Sequence, residues 1–195
     1  MIMKKHRIDP ATMAFDIDGV FADTMALFID IARDEFNING IKYEDITSYS
    51  LKDCINMESK LIEIIVTKIV DGNYQPRLRP FKNAPQVLSR MGMKHGSILF
   101  VTARPYLGPI YEWMLDVLPL DPSAIEIITT GSFEGKADIL TDRNISCFVE
   151  DRLETCFILE AAGIVPVLFK QPWNRQKHPF IEVGTWTELA SLIQI

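Results

Sequence analysis

The sequence predicts an α/β fold, a doubly wound parallel sheet with a small α-helical insert after the first strand. Three observations predict it. Five short apolar runs recur along the chain, and each ends at a polar turn. The runs are continuously apolar, not alternating, as strands covered on both faces are. Helical patterns separate the later runs, and strand–helix alternation argues for right-handed βαβ units.

The first run covers residues 12–17 and ends at Asp16-Ile17-Asp18-Gly19. From Val20 to about Pro80 the pattern changes to helices with no convincing strand. Asp23 is placed to cap a helix running to Phe36, with Phe28, Ala32 and Phe36 on one face. Residues 58–70 form a second, with Leu61, Ile65 and Ile69 at i, i+4 spacing. Gly72 to Pro76 reads as a loop. Residues 21–80 are therefore expected to be a helical cap insert, and residues 1–20 with 81–195 the core.

The second run, 97–101, ends at Thr102-Ala103-Arg104-Pro105. After Pro109, residues Ile110, Met114, Val117 and Leu118 share a helix face. The third run, 125–129, ends at Thr130-Gly131, and a short helix begins at Lys136 after Gly135. The fourth, 145–149, ends at Glu150-Asp151. Residues 153–162 read as a helix closed by Gly163, which suits a left-handed C′ position. The fifth run, 164–169, ends near Gln171-Pro172. Residues 181–183 read as a short edge strand and 185–193, with Trp186, as a closing helix.

The chain has 195 residues, 48% hydrophobic and 24% charged, enough to bury a core without staples. No apolar run reaches the roughly 18–20 residues of a membrane span, and no cleavable leader follows the basic Lys4-Lys5-His6-Arg7. A net charge of −6 gives no footprint for a nucleic-acid polymer. Cys54, Cys147 and Cys156 include no Cys-x-x-Cys pair, so disulfides and structural zinc are poor readings and a reducing cytoplasm fits best. A monomer or a homodimer is expected.

Ligands of open α/β sheets bind at the carboxyl ends of the strands. Those ends here carry Asp16, Asp18, Thr102, Lys136, Glu150 and Asp151. Carboxylates converging on one point repel unless a cation sits among them. An all-oxygen set suits Mg²⁺, which keeps several waters and takes an oxygen from a bound phosphate. Thr102 offers a hydroxyl, the amides from Ala103 onward can cradle phosphate oxygens, and Lys136 supplies a point charge. Together these parts suffice for phosphoryl transfer. His6, His95 and His178 stand beside no plausible nucleophile, so the nucleophile is expected to be a carboxylate. Asp18, two residues past it, is placed to exchange the proton.

Four segments carry a resemblance. Ala14 to Thr24 resembles the first motif of the haloacid dehalogenase superfamily, Phe100 to Pro105 the second, Gly135-Lys136-Ala137 the third and Phe148 to Arg152 the fourth. All four stand in the family's order, over essentially the whole chain except the insert. The resemblance implies a Rossmann-like three-layer α/β/α fold with a helical cap. It implies Asp16 as nucleophile and metal ligand, and Asp18 as general acid/base lending its backbone carbonyl to Mg²⁺. Thr102 and Lys136 would hold the phosphoryl group. Asp151 would be the acidic ligand, with Glu150 a second ligand or a holder of metal water; the family often has Asp-Asp where this chain has Glu-Asp.

Residues 150–151, 159–164 and 167–175 are further similar to bacterial proteins grouped with the 5′(3′)-deoxyribonucleotidases. Animal members place a base-stacking aromatic eight residues after the nucleophile, where this chain has Thr24. Phe21, Phe28, Tyr49 and Tyr74 are the candidates to replace it.

The expected function is a Mg²⁺-dependent phosphohydrolase acting on a small phosphorylated metabolite, a phosphomonoester such as a nucleoside monophosphate, through an aspartyl-phosphate. The alternatives are a phosphomutase of the same superfamily and a catalytically silent phospho-ligand-binding or signalling module. A true dehalogenase is disfavoured by Asp18, and a response-regulator receiver by the nucleophile's place on the first strand. Arg104 is read as reaching a substrate phosphate or a local acid. Trp173 and Asn174 are read as fixing the loop after the fifth strand, and Trp113 and Trp186 as packing. Cys147 is read as an inert core residue.

Overall fold

A computed structural model describes residues 8–193; the basic run Lys4 to Arg7 lies outside them. Six strands, β1 (Met13–Phe15), β2 (Ile98–Thr102), β3 (Ile125–Thr129), β4 (Cys147–Glu150), β5 (Val165–Phe169) and β6 (Ile181–Val183), form one sheet in the order β3-β2-β1-β4-β5-β6. Every pairing is parallel. The helices are α1 (Thr24–Phe36), α2 (Ser59–Asp71), α3 (Ala84–His95), α4 (Gly108–Val117), α5 (Gly135–Asp142), α6 (Leu153–Ala161) and α7 (Trp186–Leu192).

The apolar runs are continuous because successive side chains enter two different cores. Met13, Phe15, Ile98, Phe100, Cys147 and Val149 pack on one face with Leu88 and Met91 of α3 and Trp186 and Leu189 of α7. Ala14, Leu99, Val101 and Phe148 pack on the other with Ala137 and Leu140 of α5 and Leu159 of α6. Alternation along a strand thus sorts side chains between two dry layers.

Strand order reverses between β1 and β4, which are neighbours although far apart in sequence. This is the switch point at which open α/β sheets leave a crevice beyond their carboxyl ends. Asp16 leaves β1 on one side of it, and Glu150 and Asp151 leave β4 on the other. The pair is pinned in register, Ala14 opposite Phe148 and Phe15 opposite Val149, with the Asp16 amide donating to the Val149 carbonyl at 2.9 Å.

Between β1 and α3 lie α1 and α2, joined by an irregular stretch with two short 3-10 turns, Tyr43–Asp45 and Leu51–Asp53. Asp23 caps α1, accepting the Ala26 amide at 3.2 Å, a contact of about 1 kcal/mol. Ile62, Ile65 and Ile69 form the buried face of α2, and α1 packs against it. At the end of α2, Gly72 takes φ +69 and its amide reaches the Ile69 carbonyl. A β-carbon there would also stand 2.6 Å from Cβ of Pro109, so both conformation and close approach to α4 require glycine. The chain leaves and re-enters the sheet region side by side. The Asp23 amide donates to the Arg79 carbonyl at 2.9 Å, and the Phe81 amide donates to that of Phe21 at 2.8 Å.

Helix α3 is an element beyond those expected from sequence. Val87, Leu88 and Met91 have helical spacing and Pro85 stands in its first turn, a start signal of the ordinary kind. Trp186 is fully buried, with its indole donating to the Val20 carbonyl at 2.8 Å. Cys147 is buried in β4 and Cys156 in α6, and burial pushes the Cys147 thiol up to about 12. Among the described residues no helix is long and apolar enough to cross a membrane.

Candidate active site

Asp16 follows β1 directly and is 5% exposed. Its Oδ1 accepts the Ile17 amide at 2.8 Å, and its Oδ2 lies 3.0 Å from Nζ of Lys136. Lys136 stands in the first turn of α5, has no exposed surface, and places the same ammonium 2.8 Å from Oε2 of Glu150. Burial opposes its charge, but the two carboxylates hold its pKa above the usual lysine range. For Glu150 burial would raise the pKa, and the Lys136 ammonium brings it below the usual value.

Both Glu150 oxygens are engaged. Oε1 accepts the Asp151 amide at 3.1 Å and the Arg152 amide at 3.0 Å, while Oε2 takes Lys136. Asp151 differs: Oδ2 accepts the Trp173 indole N–H at 2.9 Å, but Oδ1 is buried with no hydrogen-bond partner. One oxygen from each of Asp16, Glu150 and Asp151 lies within 4.8 Å of the others. Burial pushes Asp16 and Asp151 well above the usual carboxylate range, helped in each case by the neighbouring negative charges. An unpartnered buried oxygen amid crowded carboxylates is what an oxygen-ligated cation would relieve. The residues present fit a divalent metal.

The turn after β1 carries Asp18 onto Thr24 and Arg104. The Phe21 and Ala22 amides both donate to the Ile17 carbonyl, at 2.9 and 2.8 Å. Gly19 sits at φ +76, and a β-carbon there would be 2.1 Å from Oδ2 of Asp151. Oδ1 of Asp18 accepts the Thr24 hydroxyl at 2.6 Å and Nη2 of Arg104 at 2.8 Å; Oδ2 accepts Nε of Arg104 at 2.9 Å. Burial would raise the pKa of Asp18, and the Arg104 guanidinium brings it below the usual value. Thr102, at the end of β2, is 1% exposed, and its hydroxyl accepts the Arg104 amide at 3.3 Å.

Asp16, Asp18, Thr102, Ala103 and Asp151 line one cavity of about 550 Å³ between the sheet end and α1 and α2. Lys136 and Glu150 do not line it; both are fully buried, and Lys136 contacts the lining residue Asp16. Its far wall is mostly apolar, with Met25, Phe28, Tyr49, Ile62 and Val66. Of the four candidate platforms, Phe28 and Tyr49 face this space. Phe21 does not: it is buried between Phe100, Trp113 and Trp186, 5.3–6.4 Å between ring centroids.

A protein-family model described as 5′ nucleotidase, deoxy (Pyrimidine), cytosolic type C protein matches residues 10–195. The chain belongs to this deoxynucleotidase family. It is 24% identical over 183 residues to the 5′(3′)-deoxyribonucleotidase of Bacillus subtilis, covering 91% of this chain and 95% of that one. A protein of the same name from Bacillus phage SPbeta matches equally. In fold it is similar to a haloacid dehalogenase-like family hydrolase from Streptococcus pneumoniae, with TM-score 0.59, 11% identity and 97% and 99% of the two chains covered. CbbY from Rhodobacter sphaeroides, solved in complex with phosphate, gives TM-score 0.53 at 14% identity over 91% and 95%. The chain is thus a phosphatase of the haloacid dehalogenase superfamily.

In this deoxynucleotidase-family chain Asp16, Asp18, Thr102, Lys136, Glu150 and Asp151 all gather at the β1/β4 crevice, and residues not assigned to the site from sequence join them. Trp173 and Asn174 do fix their loop, but on Asp151. The indole holds its Oδ2, and Nδ2 of Asn174 donates to the carbonyls of Asp151 (2.7 Å) and Phe169 (2.9 Å). Gln171 donates to the Gly19 carbonyl at 2.6 Å. Arg104 takes the second of its two readings, a local acid, and Thr24 serves the same acid. The cue in sequence was the cluster Gln171-Pro172-Trp173-Asn174 just past a strand end. Which partner it served was written only in the fold.

Proposed function

We propose that the chain is a Mg²⁺-dependent phosphohydrolase that cleaves a nucleoside monophosphate or a similar small phosphomonoester through an aspartyl-phosphate on Asp16. The observation that carries this reading is the unpartnered Oδ1 of Asp151 within the Asp16–Glu150–Asp151 cluster, beside a cavity that Asp16, Asp151, Asp18 and Thr102 all line. Asp16, Asp151 and the Asp18 backbone carbonyl would hold the cation, with Glu150 holding Lys136 and the turn beneath. When bound, the cation supplies positive charge against the carboxylates and the phosphoryl oxygens.

In the first step a carboxylate oxygen of Asp16 attacks phosphorus. The bond to the leaving oxygen breaks as Asp18 gives that oxygen a proton. In the second, water attacks the same phosphorus, Asp18 takes the water's proton, and inorganic phosphate leaves with Asp16 restored. Lys136 keeps the Asp16 carboxylate oriented and offsets the charge gathering on the phosphoryl group. Thr102 and the Ala103 amide position that group for in-line attack. The apolar wall with Phe28 and Tyr49 excludes water and offers ring faces to a base.

The test is phosphate release from a panel of deoxy- and ribonucleoside monophosphates and sugar phosphates, with Mg²⁺, with EDTA, and with Asp16→Asn. Metal-dependent release that the variant lacks supports the reading. Undiminished release by Asp16→Asn would sink the aspartyl-phosphate, and transfer between esters without free phosphate would make the chain a mutase.

A further inference from the structure

We propose that Arg104 is a positioning residue that ties the seating of α2 to the orientation of the Asp18 carboxylate. The inference rests on Asp18 being the proton donor of the reading above. It is carried by what the guanidinium touches on either side.

Arg104 is 7% exposed. Nε and Nη2 grip the two oxygens of Asp18 at 2.9 and 2.8 Å, and the third nitrogen, Nη1, donates to the Ile69 carbonyl at 3.4 Å. Ile69 lies in the last turn of α2, the carbonyl end of the helix, which favours a cation. Two more contacts seat that helix end on the segment after Arg104. The Tyr106 hydroxyl donates to Asp71, and Gly72 lies against Pro109. One buried side chain therefore has a planar fork on the carboxylate and its remaining nitrogen on the helix.

A carboxylate has about four acceptor sites. Three on Asp18 are taken, two by Arg104 and one by Thr24. The bidentate grip fixes the carboxylate plane, so the site left over has a set direction. Asp18 also lines the cavity. If α2 moves off the 104–109 segment, Arg104 loses its carbonyl anchor and the plane of Asp18 is no longer held. Orientation of the proton donor then follows the position of the helix that walls the substrate space.

The test uses two esters that differ in their need for a proton. p-Nitrophenolate leaves without one; the alkoxide of a deoxynucleoside 5′-monophosphate, or of whichever alkyl phosphomonoester the wild type turns over fastest, does not. kcat/KM for each is measured for wild type, Arg104→Lys, Arg104→Met and Gly72→Ala, with folding checked by circular dichroism. Lysine keeps the charge but not the fork, so it serves if methionine fails to fold. Arg104→Lys is expected to lose on the order of tenfold more on the alkyl ester than on p-nitrophenyl phosphate, within the range of a general acid. Gly72→Ala, which pushes Pro109 away without touching Asp18, is expected to lose in the same selective direction.

Equal losses on both esters for Arg104→Lys overturn the inference and make Arg104 a phosphate or folding contact. A non-selective Gly72→Ala overturns the coupling to α2. A wild type inactive on every ester, or an active Asp16→Asn, brings down the underlying reading instead.

Discussion

The indole of Trp173 holds Oδ2 of Asp151 at 2.9 Å while Oδ1 of the same carboxylate, equally buried, holds nothing. One oxygen is fixed so that the other keeps a direction. Partners of metal-binding carboxylates act in this way, and their loss typically weakens metal binding about 10–100-fold. Trp173→Phe preserves most of the packing and deletes the donor. It is expected to weaken Mg²⁺ or Mn²⁺ binding by such a factor in a calorimetric titration. Unchanged metal affinity would show that Asp151 needs no orienting.

Gly19 tests the same carboxylate from the other side. Gly19→Ala places a methyl 2.1 Å from Oδ2 of Asp151 and 3.2 Å from the Trp173 ring at φ +76. Asp151 must shift, and so must the backbone. A lower Tm than wild type and loss of the Tm rise on adding Mg²⁺ are expected. A variant still stabilised by the metal as the wild type is would contradict the crowding.

Tyr49 addresses substrate choice. Its ring meets Phe133 edge-on at 5.5 Å, and the Arg152 guanidinium lies 5.4 Å from Tyr49 and 4.3 Å from Phe133. Stacking of a base on an aromatic is worth about 1–3 kcal/mol. Tyr49→Leu should therefore raise KM for a nucleoside monophosphate on the order of tenfold and leave KM for p-nitrophenyl phosphate nearly unchanged. Equal KM changes for both would remove Tyr49 as a base platform.

Glu182, on β6, gives a pH dependence away from the site. Hydrogen bonds from Lys170, then Arg175 and His178, outweigh the small burial and bring its pKa from 4.5 to about 2. A carboxylate with a lowered folded pKa stabilises above its unfolded value and loses that contribution as pH falls toward its folded one. Glu182→Gln should therefore lower Tm at pH 7, and the gap to wild type should close between pH 4.5 and 2. A gap that persists at the acid end would show that packing, not charge, is lost.

The sheet was legible because each strand is buried on both faces, and burial writes an unbroken apolar run. The site was legible for a related reason. At a parallel sheet's carboxyl edge a polar residue stands right after such a run, as Asp16, Thr102 and Glu150 do. What resisted reading was what depends on distance between chain segments. Arg104 and Asp18 are 86 residues apart, and Trp173 and Asp151 are 22 apart. No local period records such a pair. Helix α3 has local signals, Pro85 and the Val87–Leu88–Met91 spacing, but they are short and follow directly on the loop after α2. Strand boundaries moved by one or two residues, as with β1, expected from 12 to 17 and found as Met13–Phe15. Backbone pairing ends there while burial continues through Ile17.

The chain departs at Phe21–Asp23 and returns at Arg79–Phe81 with the two passages hydrogen-bonded to each other. To the sheet, the helices in between are an excursion that begins and ends at one place. Closing a longer excursion costs little more than closing a shorter one. A change in the length of this segment therefore adds little to the cost of closing the junction between the two passages. The junction lets the length between the two passages vary, but a replacement for α2 would also have to supply the carbonyl that Arg104 takes from Ile69.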